Sequence, residues 1–116
     1  MSDIWHAVGA EADFPDDGKL VVAHGGWQLL VVRTDEGFRA VNDRCTHQAA
    51  RLSAGKVRRG AIMCPLHGAR FDLASGRCLG GAYPDLRGFP LRVENGVIEV
   101  ALPDHPPGFD ELPVDR

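Results

Sequence analysis

Asp43-Arg44-Cys45-Thr46-His47 and, after a gap of sixteen residues, Cys64-Pro65-Leu66-His67-Gly68 are the stretches around which the chain is organised. The spacings C-x-H and C-x2-H place two thiolates and two imidazoles on two loops, enough donors to hold a metal centre. A Cys2His2 set suits either a structural zinc or a [2Fe-2S] cluster in which histidines replace cysteines on one iron. C-P-x-H-G looks like half of a zinc knuckle, whereas C-x-H is tighter than the usual zinc hook. A disulfide between Cys45 and Cys64 is the simplest alternative, but it leaves His47 and His67 at these spacings unexplained.

The surrounding residues extend the pattern. C-T-H-Q at 45–48, R-L-S-x-G at 51–55 and C-P-L-H-G-A-R-F-D-L-x-S-G-R at 64–77 resemble the Rieske [2Fe-2S] proteins. Within that family the chain is most similar to the small soluble ferredoxins that serve bacterial aromatic ring-hydroxylating dioxygenases. The resemblance implies one Rieske-type [2Fe-2S] cluster, with Cys45 and Cys64 on the inner iron and His47 and His67 on the outer. It also implies a one-electron carrier, not an enzyme in its own right, fed by a flavin-containing ferredoxin reductase and emptied by a terminal oxygenase during aromatic hydrocarbon catabolism. Electrons would leave through His47 and His67. The ligand chemistry agrees, because neutral imidazoles in place of thiolates make the cluster easier to reduce.

A chain of 116 residues is long enough for one domain and short for a second catalytic module. The remaining histidines, His6, His24 and His105, are scattered and make no credible mononuclear iron site. No run approaches roughly 18 apolar residues, and Met1-Ser2-Asp3-Ile4-Trp5 has no export signal, so the chain reads as cytoplasmic without a membrane anchor. The membrane-bound members of the family brace their two loops with a disulfide; its positions here fall on Ala50 and Leu66. Cys78 has no partner and reads as a reduced, buried thiol.

In chain order, Ile4–Val8 reads as a first strand, Lys19–His24 and Trp27–Thr34 as a hairpin over Gly25-Gly26, and Phe38–Asn42 as the strand entering the first ligand loop. Leu52–Gly60 is turn-rich, Ala61–Met63 a short strand into the second loop, and Phe71–Leu73 the strand leaving it. Leu79–Pro84 corresponds to the family's third loop, which covers the cluster, but Gly80-Gly81 replaces the stiffening prolines often found there. Phe89–Glu94 and Val97–Leu102 form a closing hairpin over Asn95-Gly96. No segment has a helical apolar period. The expected fold is all-β: a small antiparallel sandwich or barrel-like base within residues 1–102, with a cluster-binding subdomain over about 42–84 at one end. Residues 103–116 form a proline-rich tail that either frays or lies along the surface.

Hydroxyl donors beside cluster sulfurs raise the potential. High-potential relatives carry them at the positions of Ala69 and Phe71, so a midpoint in the lower part of the Rieske window, roughly −150 to +300 mV, is expected. Net charge is −3, yet residues 44–77 hold Arg44, Arg51, Lys56, Arg58, Arg59, Arg70 and Arg77 against Asp72 alone, a balance of +6 against −9 elsewhere. These cations either form a rim that steers docking onto acidic partners or solvate the loops separately. An acidic chain without a basic amphipathic helix or Gly-rich nucleotide loop points away from nucleic acid and membrane surfaces. Two other functions remain open: a non-catalytic Rieske-like subunit of a larger reductase, such as nitrite reductase, and a zinc-stabilised interaction module.

Overall fold

Eleven short strands carry the fold of the computed structural model, which describes residues 4–46, 50–65, 68–80 and 83–112. They are β1 (Ile4–Ala10), β2 (Lys19–His24), β3 (Trp27–Thr34), β4 (Gly37–Asn42), β5 (Lys56–Arg58), β6 (Ala61–Met63), β7 (Arg70–Asp72), β8 (Cys78–Leu79), β9 (Gly88–Phe89), β10 (Leu91–Glu94) and β11 (Val97–Leu102). Among the described residues the only helical pieces are 3-10 turns at Glu11–Asp13, Leu52–Ala54 and Phe109–Glu111. The all-β expectation therefore holds.

The strands form three antiparallel sheets, ordered β1-β11-β10, β2-β3-β4-β9 and β5-β6-β7-β8. Within the middle sheet β3 is buried on both faces, and its residues show why. Its Trp27-Gln28-Leu29-Leu30-Val31-Val32 run does not alternate apolar with polar, so each face of the strand needs its own partner. Trp27, Leu29 and Val31 pack with Ile98, Val100 and Leu102 of β11 and with Phe14 and Phe89. Leu30 and Val32 point the other way and pack with Ile62, Phe71, Leu52 and the cysteines. The first core makes a sandwich base; the second attaches the sheet β5-β6-β7-β8 to it. Burying each such side chain contributes about 1.5–3 kcal/mol.

Glycine turns fix the hairpins. Gly25 and Gly26 take φ of 59° and 87°, and Asn95 and Gly96 take 52° and 79°, the left-handed pair that a two-residue hairpin requires. A third turn of this kind, Arg59-Gly60 (φ 52° and 76°), joins β5 to β6 within the stretch read as turn-rich; its left-handed arginine is the unexpected part, because Arg lacks the tolerance of Asn or Asp for this region.

Four expectations along the chain are corrected. Phe89–Glu94 is not one strand: Phe89 pairs with Ala40 of the middle sheet, while Leu91 onward pairs with β11 in the first sheet. Pro90 has no N–H to continue a ladder and marks the switch. Leu52–Gly60 contains β5, and Leu79 belongs to β8 rather than to a covering loop. The strand leaving the second ligand loop is Arg70–Asp72, one residue earlier than expected, since the Leu73 N–H turns away to the Gly60 carbonyl at 2.9 Å.

The C-terminal segment lies along the surface as far as it is described. Trp27 Nε1 donates to the His105 carbonyl (3.2 Å), Asn42 Nδ2 donates to the Glu111 carbonyl (2.8 Å), and Arg87 pairs with the Glu111 carboxylate. Among the described residues no helix is long and apolar enough to cross a membrane.

Candidate metal centre

Cys45 follows β4 and Cys64 follows β6, and both thiols sit fully buried in the second core. Their loops close in the same way. The Cys45 N–H donates to the Ala50 carbonyl at 3.0 Å, and the Cys64 N–H donates to the Ala69 carbonyl at 2.7 Å. Each loop thus returns to its own cysteine five residues on, and the candidate ligand histidine of each motif falls in sequence between the two bonded residues. His47 and His67 themselves, with Leu66, lie outside the described residues. In the second loop Gly68 takes φ +74°, and its N–H donates to the Cys64 carbonyl at 3.2 Å.

The two loops are pressed together through a position that only glycine can occupy. A Cβ on Gly55 would stand 1.8 Å from the Met63 carbonyl oxygen, so the 3-10 turn after the first loop rests directly on the strand end that delivers Cys64. Leu52 from that turn is fully buried beside both cysteines.

Asp43, two residues before Cys45, is a fully buried carboxylate that sequence reasoning left without a role. Its oxygens accept from the Ser53 N–H (2.7 Å) and the Ser53 hydroxyl (2.8 Å), and Arg51 Nη1 approaches at 3.5 Å. Lys19 Nζ from β2 donates to the carbonyls of Ser53 and Gly55, 2.8 Å each. A buried carboxylate held by three donors makes a rigid brace between the first loop and its exit turn. Nothing local in the sequence announces it, since the partners lie eight and ten residues on. Thr46 adds a tie to the third loop, its hydroxyl donating to the Pro84 carbonyl at 2.7 Å. Leu86 behind that loop is buried, its N–H donating to the Gly76 carbonyl at 2.7 Å. Gly81 of the glycine pair lies outside the described residues.

None of the three cysteines is in a disulfide, which removes the Cys45–Cys64 bridge as a reading and leaves Cys78 a buried thiol of the second core. Two thiols outside any disulfide, buried among apolar side chains at the base of twin loops, fit a thiolate-ligated centre. Ala69 and Phe71, the two positions without hydroxyls, are buried.

The cations separate into groups. The inner row of the cluster sheet, Val57, Ile62, Phe71 and Cys78, faces the core in direct register. The outer row nearest the second loop is Lys56, Met63, Arg70 and Leu79, and Arg58 stands on the same face one row on. Lys56, Arg58 and Arg70 are exposed there, and Lys56 lines a cleft of 320 Å³ with Met63, Cys64 and Pro65. Arg51 instead serves the buried brace.

Comparison with known proteins extends this picture. The family model of the Rieske [2Fe-2S] domain matches residues 4–90. A ferredoxin subunit of anthranilate 1,2-dioxygenase from Burkholderia cepacia is 35% identical over 98 residues, covering 83% of this chain and 90% of the relative. Among solved structures, a complex of reduced oxygenase and oxidized ferredoxin in carbazole 1,9a-dioxygenase matches with a TM-score of 0.77 and 33% identity, covering 85% of this chain and 94% of that one. A chain described as an NADH-dependent nitrite reductase small subunit from Mycobacterium tuberculosis matches with a TM-score of 0.74 and 26% identity over 85% of this chain and 95% of that one.

Proposed function

The chain belongs to the Rieske [2Fe-2S] domain family, and on that premise we propose that it carries single electrons from a flavin-containing reductase to the terminal oxygenase of an aromatic ring-hydroxylating dioxygenase system. Its cofactor is a Rieske-type [2Fe-2S] cluster. When bound, the cluster takes up and returns one electron, at a potential raised by its neutral ligands. Cys45 and Cys64 would hold it from the core side and His47 and His67 from the outer side. The apolar wall of Leu52, Ile62 and Phe71 keeps water from the thiolates, and the Asp43–Ser53 brace holds the first loop in place. The role assigned is that of a cytoplasmic carrier. Residues 1–102 are taken as a single Rieske domain, with about 42–84 as its cluster-binding part and 103–116 as an appended tail.

The observation that carries this reading is the pair of buried cysteines, neither in a disulfide, at the base of two loops closed by the same hydrogen bond. The likeness to the nitrite reductase small subunit keeps a second reading in view, a non-catalytic subunit of a larger reductase. EPR of the purified protein before and after dithionite, with iron and zinc counted on the same sample, tests both. A rhombic signal of low average g, appearing only on reduction, with two irons per chain is expected. A colourless protein with one zinc would replace the carrier with an interaction module.

A further inference from the structure

We infer that His6 and His24 form a binding site for one divalent transition-metal ion of the imidazole-preferring kind, and that this ion staples β1 to β2. The two rings have centroids 4.1 Å apart and planes inclined at 47°. They come from different sheets: His6 stands opposite Val100 in the first sheet, and His24 stands opposite Trp27 in the middle one. Both strands are the free edges of their sheets, β1 in the order β1-β11-β10 and β2 in the order β2-β3-β4-β9. Along the seam the base is closed by small contacts, such as Gly9, where a Cβ would stand 3.2 Å from Leu20 Cδ2. The histidine pair lies along that seam, half-buried, with Val8, Leu20 and Val22 packed on the base core nearby.

The geometry is close to that of two imidazoles on one ion. Ring nitrogens bound at about 2.1 Å with an angle of roughly 90–110° between them hold their centroids about 4.6–5.3 Å apart. The observed separation therefore needs the rings to part by about 0.5–1.2 Å, a change of side-chain torsion on two half-exposed residues. Imidazole pairs favour Ni2+, Cu2+ and Zn2+ over the hard cations. Among the described residues no cluster of three or more His, Cys, Asp or Glu side chains forms, so water completes the coordination shell. The third spare histidine is engaged elsewhere: His105 Nδ1 lies 2.9 Å from the Pro106 carbonyl oxygen, and its carbonyl accepts from Trp27. The site is independent of the electron-carrier reading and of the four cluster ligands.

The test uses the cluster-loaded full chain, so that Cys45, His47, Cys64 and His67 are occupied, and Ni2+ as the probe. Equilibrium dialysis is expected to find one Ni2+ per chain. Thermal unfolding at a hundredfold excess over the dissociation constant should rise by on the order of 10 °C. Both effects should disappear in His6→Ala and His24→Ala, and in the milder His24→Gln, each checked for an unchanged visible spectrum, while His105→Ala keeps them. Absence of saturable Ni2+ binding, or binding retained in both His6→Ala and His24→Ala, would overturn the proposal.

Discussion

Asp43 offers the sharpest test of how the first ligand loop is held. Replacing it with Ala removes a fully buried carboxylate that accepts two hydrogen bonds from Ser53, at 2.7 and 2.8 Å, and faces Arg51 at 3.5 Å. Hydrogen bonds to a charged group contribute about 1.5–3 kcal/mol each, and the Ser53 N–H would be left without its acceptor. Ser53 and Arg51 are only partly buried, so water recovers some of that loss, and the half-exposed Arg51 pair adds no more than about 1 kcal/mol. The net expectation is about 3 kcal/mol, a roughly hundredfold increase in opening of the loop that carries Cys45. Asp43→Asn keeps the shape and one acceptor and should cost about 1–2 kcal/mol. Cluster release accompanies unfolding, so the suitable readout is the rate of loss of visible absorbance in a fixed concentration of urea, with far-UV circular dichroism alongside. Ala should bleach far faster than Asn, and Asn faster than the parent. Equal bleaching rates for all three would show that the Asp43 brace does not hold the loop.

Further expectations concern the thiols, the potential, docking and the tail. Cys64→Ser should abolish the visible spectrum, whereas Cys78→Ser should keep it and cost about 1–2 kcal/mol for burying a hydroxyl; loss of the cluster in both would contradict their separate roles. Voltammetry should place the midpoint in the lower part of the window of roughly −150 to +300 mV, and Ala69→Ser should raise it; a parent value near the top would refute the argument from missing hydroxyls. Electron-transfer rates to a terminal oxygenase should fall with added salt, and Lys56→Glu with Arg70→Glu should flatten that dependence; rates indifferent to ionic strength would mean the basic face only solvates the loops. Truncation after Leu102 removes the acceptors of Trp27 Nε1 and Asn42 Nδ2, so Trp27 emission should shift to the red and stability fall by about 2–3 kcal/mol; an unchanged emission maximum would show the segment to be passive.

Much of the fold was legible because its signals are local. Gly25-Gly26 and Asn95-Gly96 specify their hairpins through φ preferences within two residues, and the unbroken apolar run of β3 implies a strand covered on both faces. The candidate ligands were legible for the same reason, since C-x-H and C-x2-H present donors from single loops. The turn-rich stretch ending at Gly60 was legible, but the left-handed conformation of Arg59 was not, because it is imposed by its strands rather than preferred by its side chain. The division of Phe89–Glu94 between two sheets follows from the absent N–H of Pro90, yet which sheet each half joins is decided by partners far along the chain.

By themselves, the residues determined the chemistry: two thiolates and two imidazoles at spacings suited to one metal centre, an all-β chain, and no hydroxyls at 69 and 71. Only the tertiary structure decided the brace of Asp43, Ser53 and Lys19, the contact of Gly55 with the Met63 carbonyl, the docking of His105 on Trp27, and the meeting of His6 with His24. The physical reason is range. Ligand type and turn preference are properties of a few adjacent residues, whereas each of these contacts closes a loop whose ends come together only when two cores pack at once.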